Sequence, residues 1–203
     1  MPTTERTAGR KRDPRTDVAA IDAVLDLVAA GASLSGLSLV TIADYAGVSR
    51  NSLYRRWKTK QELYFDVLDA INKPMPPFDG PSARQNLAGF LAVLIERTLD
   101  PRASAVLRSL LAEATSFPEL YARYFDQVVE PRREVGRRIL RQGIAVGELD
   151  PGIDVELVRE VLVAPALARL NSGSAEGLDP EQTGRRIVDL LYHGIRRDQA
   201  TST

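Results

Sequence analysis

The sequence predicts an all-α chain of about nine helices, in which a three-helix head containing a helix-turn-helix precedes a larger helical bundle. Three observations carry this. Apolar residues recur three and four apart in block after block, the period of a helix face. Proline, glycine and small hydroxyl residues fall between the blocks, where helices start and stop. No segment alternates with period two for long enough to make a strand. Residues 1–15 read as a disordered arm, 16–72 as the head and 73–203 as the bundle, with the boundary at Lys73-Pro74-Met75-Pro76-Pro77, because proline cannot continue a helix.

The arm is polar, holds Pro2, Gly9 and Pro14, and places Arg10, Lys11, Arg12 and Arg15 ahead of the first helix. It reads either as a solubilising tail or as an arm that follows phosphates or dips into a minor groove. Thr16 or Asp17 can cap a helix to about Ala30, with Ile21, Val24, Leu25 and Val28 on one face and Asp17, Asp22 and Asp26 on the outer side. After a loop from Gly31 to Gly36, Ser38 caps a short helix striped by Leu39, Ile42, Ala43 and Ala46. Gly47 ends it, being able to turn left-handed without steric cost. Ser49 caps the next helix, whose inner face is Leu53 and Trp57, and Lys60 opens a fourth helix to about Asn72.

In the bundle, residues 83–99 carry Leu87, Phe90, Leu91, Leu94 and Ile95 on one face. Pro101 suits a helix start, followed by the stripe Val106, Leu107, Leu110, Leu111 and Ala114. Pro118 restarts the chain with Leu120, Tyr121, Tyr124, Phe125 and Val128 inward, and Pro131 should kink or restart it before Val135, Ile139, Leu140 and Ile144. Arg132, Arg133, Arg137, Arg138 and Arg141, interspersed with Glu130 and Glu134, read as a solvated face. Residues 153–171 form a helix bent by Pro165, in which Ala164, Ala166 and Ala168 allow close approach, and Glu181 to Arg196 forms the last, striped by Ile187, Val188, Leu191 and Ile195.

The helix after Ser49 is crowded on its remaining faces by Arg50, Asn51, Ser52, Tyr54, Arg55 and Arg56. Such a helix can lie in a major groove, where arginine forks to guanine and asparagine to adenine. Net charge is zero overall, but residues 1–60 carry ten Lys/Arg against six Asp/Glu, and residues 61–203 carry seventeen against twenty-one. A basic head on an acidic body suits a DNA-binding module joined to a part that does not touch DNA.

Ala46-Gly47-Val48-Ser49, then Leu53-Tyr54-x-x-Trp57-x-x-Lys60-x-x-Leu63, resembles the DNA-binding signature of TetR/AcrR-family transcriptional regulators, over roughly residues 16 to 65. Val40 stands where many relatives carry a polar residue, and Thr41 replaces the usual acidic partner of the capping box. The resemblance implies that Tyr54 and Lys60 meet the DNA backbone, alongside Ser38 and the recognition-helix residues. It implies a homodimer through a four-helix contact of the last two helices, here Val161, Ala164, Ala168, Ile187, Val188, Leu191 and Ile195. It also implies a small-molecule effector held in a cavity of the middle helices, about 81 to 145. Phe90, Leu94, Leu107, Arg108, Leu111, Tyr121 and Phe125 are the candidate lining, though apolar stripes occur in every bundle and each is more readily plain core, with Arg108 placed to meet an acidic effector.

There is no cysteine, hence no disulfide, thiolate nucleophile or cysteine zinc site, and the single histidine leaves little for a metal cluster. Gly31-Ala-Ser-Leu-Ser-Gly36 imitates a nucleophile elbow with the wrong spacing, and it follows a helix rather than a strand. His193 has no evident catalytic partner, and Asp66 and Asp69 read as exposed helix charges. No apolar run suits a membrane helix, nor an N-terminal signal core. The expectation is a cytoplasmic, non-enzymatic, cofactor-free DNA-binding repressor that is released from a near-palindromic operator by an effector. An effector-independent regulator or an activator is the nearest variant. The competing class is a helical ligand-binding or interaction module without operator binding, against which the Arg55/Arg56 pair, Lys60 and the charge split argue.

Overall fold

A computed structural model of the protein describes residues 14–172 and 177–195; Arg10, Lys11 and Arg12 lie outside them. The helices are α1 (Pro14–Ala29), α2 (Leu39–Ala46), α3 (Arg50–Arg56), α4 (Lys60–Ile71), α5 (Ala83–Leu99), α6 (Pro101–Ala112), α7 (Pro118–Tyr124), α8 (Glu130–Ala145), α9 (Val155–Ser172) and α10 (Pro180–Ile195). A π-turn, Phe125–Val129, joins α7 to α8 without a break, so the described residues form nine helical rods and no strand.

Local chemistry explains the boundaries. The Thr59 hydroxyl accepts from Glu62 N–H at 3.2 Å to open α4, and Asp100 caps α6 ahead of Pro101 by accepting from Arg102 and Ala103 N–H. α1 already includes Pro14, ahead of the expected cap, and Asp17 lies in its first turn. The helix runs through the π-turn without restarting at Pro131. Pro131 has no N–H for the carbonyl of Gln127 four residues earlier. Asn72 Nδ2 donates to that carbonyl at 3.2 Å instead, and the π-turn absorbs the misfit.

Packing divides the molecule differently from the sequence boundary at residue 72. One core joins Val24, Leu34, Ile42, Leu53, Leu63 and Tyr64 of the first four helices and their loop to Val106, Leu110, Phe117 and Leu120 around α6 and α7. The second joins Leu87, Phe90, Leu91 and Ile95 of α5 to Ile139 and Leu140 of α8, Leu162 of α9, and Val188 and Ile195 of α10. α10 lies so close on α5 that a Cβ on Gly184 would stand 2.6 Å from the Ala88 carbonyl oxygen, which requires glycine there. The α10 stripe therefore meets its own chain. Val188 and Ile195 are buried in this second core, which removes these two from the expected partner face, while Ile187 and Leu191 pack against it and stay half-exposed. Val161, Ala164 and Ala168 are exposed on α9, beside Leu157 and Leu167.

No helix among the described residues is long and apolar enough to cross a membrane.

Candidate nucleic-acid interface

α2 and α3 form the helix-turn-helix, and each end is fixed by its own sequence. Ser38 Oγ accepts from Thr41 N–H at 3.0 Å, worth about 1 kcal/mol. The two hydroxyls of Ser38 and Thr41 stand 2.8 Å apart, a side-chain contact where a capping box would have an acidic residue accept from the Ser38 N–H. Gly47 turns left-handed at φ 65°, with Val48 N–H donating to the Ala43 carbonyl at 3.1 Å. Ser49 Oγ then accepts from Ser52 N–H at 3.1 Å and opens α3, and the Ser49 and Ser52 hydroxyls are 2.7 Å apart. Ser38 thus caps α2 and Ser49 caps α3, and both stay exposed.

Leu53 and Trp57 are buried, and Trp57 Nε1 donates to Asp66 Oδ2 at 2.8 Å, tying the end of α3 to α4. The Arg56 guanidinium, half-buried, pairs with Asp17 of α1. Arg56 is thus a strut between helices, and Asp17 is not an outward charge. Arg50 pairs with Asp44 of α2 at 2.6 Å, both well exposed, and the Arg50 hydrogen bond holds the Asp44 carboxyl below the usual carboxylate range. Water-exposed pairs of this kind exchange readily with phosphate. Besides Arg50, α3 leaves Asn51, Tyr54 and Arg55 exposed, a donor-rich face. Lys58 and Tyr45, the latter 57% exposed, flank it. Sequence reasoning singles out neither. The outward position of Tyr45 is readable, since the apolar stripe of its helix runs along the opposite side.

Lys60 departs from its expected part. Its ammonium donates to the carbonyls of Leu34, Ser35 and Leu37 at 3.2, 2.6 and 3.1 Å, using all three protons on the loop that precedes α2. It braces the head from inside. The same loop is held from two further sides. The buried Tyr64 hydroxyl donates to the Leu34 carbonyl at 2.7 Å, and burial, then the Glu113 charge, pushes that phenol well above its ordinary range. Glu113, just beyond α6, accepts from Leu34 N–H at 2.9 Å, Ser35 N–H at 2.8 Å and the Ser109 hydroxyl at 2.6 Å. Burial alone would raise the Glu113 carboxyl, but these hydrogen bonds outweigh it and hold the group low. Arg102 at the other end of α6 sits 2.8 Å from both Asp22 and Asp26 of α1, so these carboxylates also face inward partners.

The seven expected lining residues are dispersed. Phe90 and Leu94 lie in the second core, Leu107 packs against the first, and Leu111 and Tyr121 are each 37% exposed. Phe125 carries the Arg133 guanidinium on its ring face at 4.7 Å, and Arg108 lines a cleft with Ser109 and Glu113 against α1 and its following loop. The arginine run on α8 is not one solvated face either. Arg137 binds Glu130, Glu134 and Glu156, whereas Arg132 is half-buried. Asp66 and Asp69 hold Trp57 and Arg123, and His193 is exposed on α10.

Comparison with known proteins agrees with this architecture. Residues 28–67 match the model of bacterial regulatory proteins of the tetR family, and residues 77–191 match the tetracyclin repressor-like C-terminal domain. The chain is 28% identical over 198 residues to the HTH-type transcriptional regulator YdeS of Bacillus subtilis (strain 168), covering 96% of this chain and 95% of that one. It is 26% identical over 202 residues to the HTH-type transcriptional repressor KstR2 of Mycolicibacterium smegmatis, covering 88% and 91%. The structure of the transcriptional regulator FadR from Bacillus subtilis in complex with stearoyl-CoA superposes with a TM-score of 0.67 at 20% identity, covering 88% of this chain and 98% of that one. The protein is a DNA-binding transcriptional regulator and belongs to the TetR family.

Proposed function

We propose that the protein is a homodimeric repressor that binds a near-palindromic operator and is released by a small-molecule effector, and that it performs no catalysis. One observation carries the reading: two struts from the end of α3 (Arg56 to Asp17, Trp57 to Asp66) fix it while Asn51, Tyr54 and Arg55 stay exposed. Residues 16–72 serve as the DNA-reading head and 73–203 as the responsive, dimerising body, with Arg10, Lys11 and Arg12 as an arm along the phosphates. A single short recognition helix reads few base pairs, so two copies on successive major grooves, roughly 34 Å apart, supply affinity and a palindromic site. The partner face is the exposed stripe Leu157, Val161, Ala164, Leu167 and Ala168 of α9, joined by Leu190 of α10, which is 82% exposed. A contiguous apolar strip in water is favourably covered by a second copy. The repressor sign follows KstR2, and an effector follows FadR with stearoyl-CoA.

The test is selection of bound sequences from a random DNA pool by the full chain. Inverted repeats with half-sites one helical turn apart are expected, and the Leu190→Glu and Val161→Glu variants should elute as monomers and recover only single half-sites. Enrichment of no sequence at all would refute the reading.

A further inference from the structure

Most guanidinium groups inside the body have carboxylates. Arg159, 5% exposed, lies within 3.3 Å of Glu156 and Glu160, and Arg137 binds three glutamates. Two arginines differ. Arg97 of α5 donates through Nη2 to the Pro74 carbonyl at 2.8 Å, while its Nη1 is buried with no hydrogen-bond partner. Arg132 of α8 is half-buried, no carboxylate pairs with it among the described residues, and its electrostatic neighbours are Arg97, which repels it, and Tyr124. The helix register explains why the two meet. A Cβ on Gly143 would touch Ala83 and one on Gly136 would touch Phe90, so α5 and α8 run antiparallel and the next turn of α8 brings Arg132 opposite Leu94 and Arg97. Glu96, the nearest carboxylate in sequence, is exposed and lines a groove between α5 and α10; its charge acts on Arg97 through space, but no hydrogen bond or ion pair joins the two among the described residues.

Two like charges, both half-buried and brought together by this register, with one buried guanidinium N–H left without a partner, form a site short of an acceptor. Burial and Arg97 together push the Arg132 guanidinium down to about 10. We propose that Arg97 and Arg132 are the anion-receiving pair of the effector site, so that the effector is a largely apolar molecule bearing a carboxylate or a phosphate. This rests on the effector-released reading above. Guanidinium forks match both oxyanions bidentately. The place suits a switch, because the site lies between two ties to the end of α4: Arg97 holds Pro74, and Asn72 holds the π-turn carbonyl of Gln127. An anion that draws the two arginines together pulls on the helix that carries the head.

The test is the thermal midpoint of the full chain with octanoate, octyl phosphate, inorganic phosphate or octanol, at ionic strength matched with chloride. Wild type should be raised by octanoate, octyl phosphate or both, and not by octanol. A response to octanoate alone assigns a carboxylate; a response to octyl phosphate alone assigns a phosphate. Arg132→Met, and Arg132→Gln as a second variant should Met disturb α8, should melt no lower than wild type without ligand, since a repelled charge has gone, and should bind the anion at least roughly tenfold more weakly. Absence of any anion-specific shift, or the same shift in both variants, overturns the proposal. A neutral compound that releases DNA equally from wild type and variants would overturn it too, while leaving effector release intact.

Discussion

Two polar regions lie inside this helical molecule, and they are built to opposite rules. At the junction of head and body, the Leu34–Ser35 backbone, Lys60, Tyr64, Ser109 and Glu113 match donor to acceptor completely, with distances between 2.6 and 3.2 Å. In the body, between α5 and α8, Arg97 and Arg132 bring donors and charge without an acceptor for Arg97 Nη1. A satisfied network in low dielectric is rigid, whereas an unsatisfied one is costly until something fills it. The junction is suited to passing movement on and the interior to receiving a ligand, so a signal entering at one has a stiff route to the other through α4 and α6.

The strongest way to break this contrast is to empty the core that head and body share. Leu110, fully buried, joins α6 to the head, so Leu110→Ala should cost about 2–5 kcal/mol. Trp57 fluorescence, which reports the head, and circular dichroism, which reports every helix, should shift together in denaturant. A separate early transition of Trp57 would show that the head is not coupled through this core. Next in size, Lys60→Met should lose about 1–3 kcal/mol of stability, because three carbonyls lose a charged donor. Unchanged stability with a salt slope of DNA binding lowered by about one would place Lys60 on phosphate instead.

A smaller effect sharpens the junction. Glu113→Gln should cost about 1 kcal/mol. Because the folded Glu113 carboxyl lies below its ordinary range, its stabilisation is complete above the unfolded-state pKa and disappears as pH falls through the folded one. Wild type should therefore lose stability more steeply than Glu113→Gln on the acid side of the glutamate range, and parallel curves would contradict the latch. The smallest effect belongs to Arg50→Ala, under about 1 kcal/mol, since its pair with Asp44 is exposed and screened.

The parts legible in the sequence are those decided within a few residues. Ser38, Gly47 and Ser49 announce their caps and turn by their own chemistry, and the helix stripes announce the fold class. What a stripe does not say is whose helix it meets, which is why Val188 and Ile195 read as a partner face and lie in their own core. The struts are hidden for the same reason. Arg56 and Asp17, or Glu113 and Ser35, are far apart in the chain, and nothing local distinguishes a paired charge from a solvated one. Arg132 reads like its solvated neighbours but is half-buried, because it stands four and seven residues before the buried Gly136 and Ile139, on the inner face of α8.

The central claim is that α3 reads DNA through its free face and is held by its strutted one. The measurement that tests it most directly is fluorescence anisotropy of the full chain on a selected operator, at two salt concentrations, with Arg55→Ala and Arg56→Ala side by side and their melting temperatures recorded. Arg55→Ala should weaken operator binding at least roughly tenfold with an unchanged midpoint, and Arg56→Ala should lower the midpoint. Wild-type affinity in Arg55→Ala, or an undiminished midpoint with lost binding in Arg56→Ala, would contradict it.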